Sequence, residues 1–353
     1  MWLQKIWGHQ KFSNFFKHFI PKNYLILILI IFRFNKIKSK AVLVIKVIPL
    51  AFESLGVRSM CTFVQTDQNI LIDPGTSIAP KRFQLPPSKK EWAALKDSRE
   101  KISEYALKSS IITISHYHHD HFTPFETNKF LQSSSKIARK VYNGKRIFLK
   151  NPDVNINKNQ SFRAKKLLKN LKNIKECEIS YSDDTEFHIG KTRFKFSPPL
   201  PHGAENSPLG HVIGLSITYN DKKLLHASDV QGPISNIALD YILNENPDKL
   251  ILSGPPLYLL NYAISSEDLK ISRSNLDVIC QNITEVVIDH HLLRDKNGLD
   301  FIENYNINYD IDIGPASRII KKEAILLESD REKLIKLEKN KSNQTNFVDN
   351  NIY

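Results

Sequence analysis

His116-Tyr117-His118-His119-Asp120-His121 is the stretch whose reading decides this chain. Potential metal ligands stand at its first, third, fifth and sixth positions. Ile111-Ile112-Thr113-Ile114 precedes it, an apolar and β-branched run that reads as a buried strand. The cluster is therefore expected on the loop at a strand's end, where a sheet can aim several side chains at one point. Imidazole nitrogen and carboxylate oxygen suit zinc, iron and manganese. A general-base histidine needs no such neighbours, whereas a metal needs three or four ligands together. The alternative, a polar loop that happens to be rich in histidine, must also account for what lies downstream.

His202 closes the run Ser197-Pro198-Pro199-Leu200-Pro201 and is followed by Gly203. The prolines stiffen the entry and the glycine permits a tight turn. Asp229 follows the strand-like run Lys223–Ala227, and His290 and His291 follow Val286-Val287-Ile288-Asp289. Each candidate stands just past an expected strand end. Taken singly, Asp229 reads as a turn or N-cap residue and His202 as a loop histidine. Taken with the hexapeptide, both read as ligands.

This set resembles the metallo-β-lactamase superfamily. That superfamily carries His-x-His-x-Asp-His, then a distant His, a distant Asp and a final His, in that order. Here the positions fall on His116, His118, Asp120, His121, His202, Asp229, and His290 or His291. The resemblance spans Val47 to at least Arg294. Ile48-Pro49-Leu50-Ala51 with Glu53–Met60, and Asp73-Pro74-Gly75 with Ala79-Pro80-Lys81-Arg82, look like an archaeal branch of it. The resemblance implies an α/β fold, a four-layer αββα sandwich. It also implies two divalent ions, zinc first and iron or manganese as alternatives. His116, His118 and His202 would hold one, Asp120, His121 and His290 the other, and Asp229 would bridge them. A hydroxide between the metals would be the nucleophile, with Asp120 helping to orient it.

His290 is preferred to His291 because ribonuclease-like members often place Arg four residues after the last ligand, as Arg294 stands here. Neighbours on a strand point to opposite faces, so one of the pair is expected to ligate. His119 occupies a variable position and is expected not to ligate. Asp73 is expected to orient a ligand by hydrogen bonding, although Asp-Pro-Gly is also a turn sequence. Asp289 and His226 are further candidates for that role. A di-iron redox branch of the superfamily has Glu where His118 stands, so His118 favours hydrolysis. The expectation is a metal-dependent hydrolase acting on a phosphodiester or another ester, lactones and thioesters included. Two rivals remain: a di-iron oxidoreductase on the same scaffold, and a non-catalytic metal-containing protein that binds nucleic acid or membrane.

The net charge of +13 looks like a nucleic-acid signature, but it is uneven. Residues 1–46 hold nine of the 50 Lys and Arg and no acid, leaving 41 basic against 37 acidic residues in the remainder. The case for a nucleic-acid partner from charge is therefore weak. Three widely spaced cysteines, Cys61, Cys177 and Cys280, form no CxxC pair and point to a reducing, cytoplasmic setting. Tyr24–Phe32 is apolar but only nine residues long, against about 20 for a membrane span. Residues 1–46 read as a start placed too early, as a basic tether at the inner membrane face, or as an extra strand or disordered extension.

The hydrolase domain is expected over residues 47–341, with a frayed tail at 342–353. Its opening strands are Val47–Phe52, Met60–Gln65 and Ile70–Asp73. Ser88–Lys108 reads as a helix whose Ser88 and Glu91 make a capping box. Arg163–Lys172, Ile234–Asn244, Ser265–Asn282 and Ala316–Lys341 also read as helices. Thr185–Ile189 with Thr192–Ser197, and Val212–Tyr219 with Lys223–Ala227, read as hairpins. Lys249–Ser253 is a strand whose exit, Gly254-Pro255-Pro256, should bring Tyr258 to the pocket.

Overall fold

The computed structural model describes residues 44–308 and 312–349, with only the helical course given for 341–349. The apolar run Tyr24–Phe32 and all but the last residues of the basic extension 1–46 lie outside the described residues. So do residues 350–353 of the expected tail.

Among the described residues, fifteen strands form two large sheets and a two-stranded ribbon. The first sheet runs β1(Lys46–Phe52), β2(Met60–Gln65), β3(Asn69–Ile72), β4(Ile111–Ile114), β5(Arg146–Leu149), β6(Glu178–Tyr181). β1 to β3 pair antiparallel, and β3 to β6 pair parallel. The second sheet has the spatial order β7(Glu186–Ile189), β8(Thr192–Phe196), β11(Leu215–Tyr219), β12(Lys222–Ser228), β13(Lys249–Ser253), β14(Glu285–Asp289), β15(Asp312–Gly314). It too is antiparallel through β12 and parallel from β12 to β15. The two halves repeat one pattern with no visible sequence repeat.

Period-two alternation sorts the side chains into layers. Phe52, Val64, Ile70 and Ile72 of the first sheet meet Phe194, Phe196, Ile217, Leu224, Ile251 and Val287 of the second, forming a core between the sheets. The intervening residues face outward. Phe63, Leu71, Ile112 and Ile147 pack under α1(Lys89–Lys108), α2(Ser135–Tyr142) and α3(Lys158–Leu171). Leu225, Leu250, Leu252 and Val286 pack under α4(Asn236–Glu245), α5(Ser266–Asn282) and α6(Gly298–Asn308). The result is helix, sheet, sheet, helix: the four-layer αββα sandwich. The central strands read as unbroken apolar runs because both of their faces are covered.

α1 begins as its sequence requires. The Ser88 hydroxyl accepts from Glu91 N–H, and Glu91 returns the bond to Ser88 N–H at 2.9 Å. Leu95, Ile102 and Ala106 lie on its buried face. The helix expected over Ala316–Lys341 is interrupted. A 3-10 turn covers Ala316–Ile320, Lys321 turns with φ 55°, and α7 starts only at Arg331 and runs to Asp349. Between them the chain crosses the other half of the fold, where Ile325 N–H donates to Ser54 O at 2.9 Å. That tertiary contact outweighs the local helical preference.

Arg331 then buries itself completely. It binds Glu91 at 2.6 Å and the carbonyls of Ala79 and Leu85 at 2.9 and 3.1 Å. Arg331→Met would leave the Glu91 carboxylate without that partner. It is expected to lower stability by about 3–5 kcal/mol, read as a shift of the urea unfolding midpoint at unchanged slope.

Candidate metal centre

The site lies where several strands end. β3 delivers Asp73, β4 delivers the hexapeptide loop, β12 delivers Asp229 and β14 delivers His290. His202 comes from the two-stranded ribbon. There β9(Leu200–Pro201) pairs with β10(His211–Val212), and His202 N–H donates to Gly210 O at 2.9 Å. Gly203 beside it has φ 92°. Gly75 permits the loop's approach, since a Cβ there would overlap Asp120 O and Phe122 N.

These distant residues converge. His116, His118, His202 and Asp229 present ligand atoms within 4.8 Å of one another, and so do Asp120, His121 and His290. Asp229 stands between the sets. Its Oδ2 lies 3.0 Å from His202 Nε2, 3.5 Å from His290 Nε2, 3.7 Å from His121 Nε2 and 3.9 Å from His116 Nε2. His118 turns Nδ1 inward, 3.2 Å from His202 Nε2. Among the described residues His119 joins no such group. It packs on Phe122 with ring centroids 5.6 Å apart.

The far side of most rings is tied down. His121 Nδ1 lies 2.9 Å from Asp73 Oδ2, and the same carboxylate accepts from Ser115 N–H at 2.7 Å and Ser115 Oγ at 2.6 Å. Ser115 Oγ in turn lies 3.0 Å from His116 Nδ1. Gln231 Nε2 lies 3.3 Å from His202 Nδ1, and Glu53 Oε2 lies 2.7 Å from His290 Nδ1. Each such contact fixes a ring's tilt and points its other nitrogen at the common centre. Asp73, Ser228, Gln231 and His290 all have positive φ, between 48° and 58°. Backbone strain of this kind gathers at functional sites.

Charge follows the geometry. Burial, with His121 and His118 nearby, pushes His116 well below the usual imidazole range. Burial and His202 take His118 down to about 3. Both rings are thus neutral, as a metal ligand must be. Asp229 stays ionised against the cost of burial because His291, His202 and His290 surround it. At His290 burial is outweighed by Glu53, which raises it to about 10.

The polar inventory tests whether a metal suits these residues. Among the described residues, His116 Nε2, His121 Nε2 and Asp229 Oδ1 are buried and have no hydrogen-bond partner. Buried polar atoms are rarely left so. Two of them, His116 Nε2 and His121 Nε2, lie 3.9 and 3.7 Å from Asp229 Oδ2, and such nitrogen and oxygen donors together fit divalent ions.

His290 and His291 do not obey strand alternation. β14 ends at Asp289, and the pair opens a 3-10 turn, His290–Arg294, with His290 at φ 55°. Both rings therefore reach Asp229, His291 Nε2 at 3.1 Å. Only His290 also joins Asp120 and His121. His291 instead meets the Tyr258 hydroxyl at Nδ1, 3.0 Å away. Asp289 accepts from the N–H groups of Ser54, His290 and Ala316 and so shapes this turn. His226 Nε2 lies 3.1 Å from the Met60 carbonyl. Glu53, Ser115 and Gln231 carry no role legible in sequence: Ser115 adjoins the ring it touches, whereas Glu53 and Gln231 lie on segments distant from theirs.

A UPF0282 protein of Methanopyrus kandleri is 44% identical over 290 residues, covering 82% of this chain and 98% of that protein. This chain belongs to the UPF0282 family. No family model matches it. Among solved structures, Tm1679, described as a metal-dependent hydrolase of the β-lactamase superfamily, is similar at 14% identity. Its TM-score is 0.42, over 77% of this chain and 96% of that one. An isothiocyanate hydrolase from Delia radicum gut bacteria is similar at 17% identity and a TM-score of 0.46, over 74% and 95%. The UPF0282 chain is a four-layer αββα sandwich, and its candidate site lies where the sandwich's strands end. Among the described residues of this UPF0282 protein, no helix is long and apolar enough to cross a membrane.

Proposed function

We propose that this chain is a metal-dependent hydrolase of phosphodiesters or other esters. The observation that carries the reading is the pair of buried imidazole nitrogens without hydrogen-bond partners among the described residues, His116 Nε2 and His121 Nε2, converging on Asp229. His116, His118 and His202 would hold one ion, Asp120, His121 and His290 a second, with Asp229 between them. Two divalent cations, zinc in the first instance, would supply Lewis acidity and lower the pKa of water from about 15.7 to roughly 7.

The protein's own groups do the rest. Asp120 is the most exposed of the acidic donors, at 16%. Burial opposes its charge, but His121, His290 and Arg294 hold the carboxyl well below the usual range. It can therefore accept a hydrogen bond from an attacking water and orient it. His291 stands beside Asp229 with its Nε2–H directed at Oδ2, and its Nδ1 accepts from the hydroxyl of the half-buried Tyr258, a chain that steadies the Asp229 carboxylate. Asp73, Glu53, Ser115 and Gln231 keep the ligand rings in place. A reducing compartment such as the cytoplasm fits the three unpaired cysteines.

The test is metal analysis of the full chain, followed by assay with bis-p-nitrophenyl phosphate, a lactone, a thioester and RNA under the metal found. Turnover of one of these esters that stops on chelation and returns with metal is expected. Iron with oxygen consumption and no hydrolysis of any of them would sink the reading.

A further inference from the structure

The two sets of donor atoms differ in one respect. Among the described residues, no Lys or Arg hydrogen-bonds to His116, His118, His202 or Asp229. The second set already has a cation beside it. Arg294 Nη2 lies 3.1 Å from His290 Nε2 and 3.3 Å from Asp120 Oδ2. Those are the atoms that His290 and Asp120 would offer to an ion.

The guanidinium is not free to leave. Its Nε binds Glu53 Oε1 at 2.6 Å and its Nη1 donates to the Tyr258 hydroxyl at 3.2 Å. The side chain is only 5% exposed. Arg82 stacks its guanidinium over the Tyr258 ring at 4.9 Å and donates to the Arg294 carbonyl at 3.4 Å, closing the outer side. Glu53 also holds His290 Nδ1, so one carboxylate fixes both the ring and the arginine that crowds its other nitrogen. Like charges this close repel strongly where water is excluded. Arginine cannot relieve the repulsion by losing its proton, because it stays protonated in proteins.

We propose that Arg294 makes the two ion positions unequal, so that the ion on His116, His118 and His202 is held tightly and the one on Asp120, His121 and His290 is exchangeable. The inference rests on the metal-dependent reading above and adds a property to it. The second position then fills according to the free metal concentration around the protein, while the first stays filled. Glu53 sets the balance by keeping the guanidinium in place.

The test is equilibrium dialysis of the metal-depleted full chain against stepped free zinc, with bound metal counted by mass spectrometry. The wild type is expected to take up one ion per chain and then a second at about tenfold or more higher free zinc. Arg294→Gln should narrow that gap, and Arg294→Lys, which keeps a positive charge, should narrow it less. Thermal unfolding checks that each variant is folded. Tyr258→Phe removes one bond that holds the guanidinium and leaves the core alone, so it should narrow the gap in the same direction even if the Arg294 variants do not fold. Two ions taken up in one step by the wild type would overturn the proposal. So would an unchanged gap in folded Arg294→Gln, or in Tyr258→Phe if neither Arg294 variant folds. Uptake of no divalent ion at all would instead remove the underlying reading, and this proposal with it.

Discussion

On the proposed hydrolase reading, Asp229→Ala is expected to abolish hydrolysis, with a loss of about 10³-fold or more in kcat/KM, and to abolish metal binding at the two proposed positions. Five imidazoles, those of His116, His121, His202, His290 and His291, lie within 4 Å of its Oδ2. It is the acid shared by the two sets of donor atoms, and its Oδ1 is buried without a partner. Removing it takes away a buried negative charge that draws cations to the centre. A loss of about 4 kcal/mol in transition-state stabilisation corresponds to that factor, at about 1.4 kcal/mol per tenfold. Asp229→Asn keeps the shape and tests the charge alone. Metal content and bis-p-nitrophenyl phosphate turnover are the measurements. Native metal content with full activity in a folded Asp229→Ala chain would falsify the assignment.

Asp73→Ala is expected to act on stability and on metal binding together. One buried carboxylate serves Ser115 N–H, Ser115 Oγ and His121 Nδ1. At His121 burial works against the charged ring, yet the bond and charge of Asp73 leave it raised above the usual imidazole range. Breaking such a pair costs about 3–5 kcal/mol. Freeing a ligand ring lowers metal affinity by about 10–100-fold. Asp73→Asn keeps an acceptor for Ser115 N–H, so it should lose less stability while still losing affinity. Urea unfolding and competition with a chelating dye separate the two effects. A variant as stable as the wild type and equally tight for metal would remove Asp73 from this role.

The site was legible in sequence to the extent that its chemistry is local. Side chains able to bind metal follow apolar β-branched runs, and those runs are strands because both their faces are covered. His116, His118, Asp120, His121, His202 and Asp229 could therefore be named in order, and the structure brings them together. Asp73 was also legible, as the last polar residue before a turn at a strand's end. Its Pro74-Gly75 partner has a reason beyond the turn, since Gly75 lets the hexapeptide loop pass.

Other features had no local mark. Glu53 touches His290 across 237 residues of chain. Alternation does not reach His290 and His291 because the strand ends at Asp289, just before the pair, and a 3-10 turn follows. Arg294 was visible only as a spacing. Its place against Asp120 depends on Glu53 and Tyr258, which arrive from the first strand's end and from the loop after β13. The helix expected from Ala316 onward broke for a similar reason, a contact with Ser54 that no local window contains.

By itself, the amino-acid order determined which side chains can bind a cation and at which strand ends they stand, because ligand chemistry and strand periodicity are properties of short segments. Only the folded chain decided which nitrogen of each ring faces inward and which carboxylate holds it. It alone set an arginine beside one half of the cluster and not the other. Those outcomes come from packing two sheets whose strand ends meet, and segments far apart in the chain become neighbours only once both layers are closed.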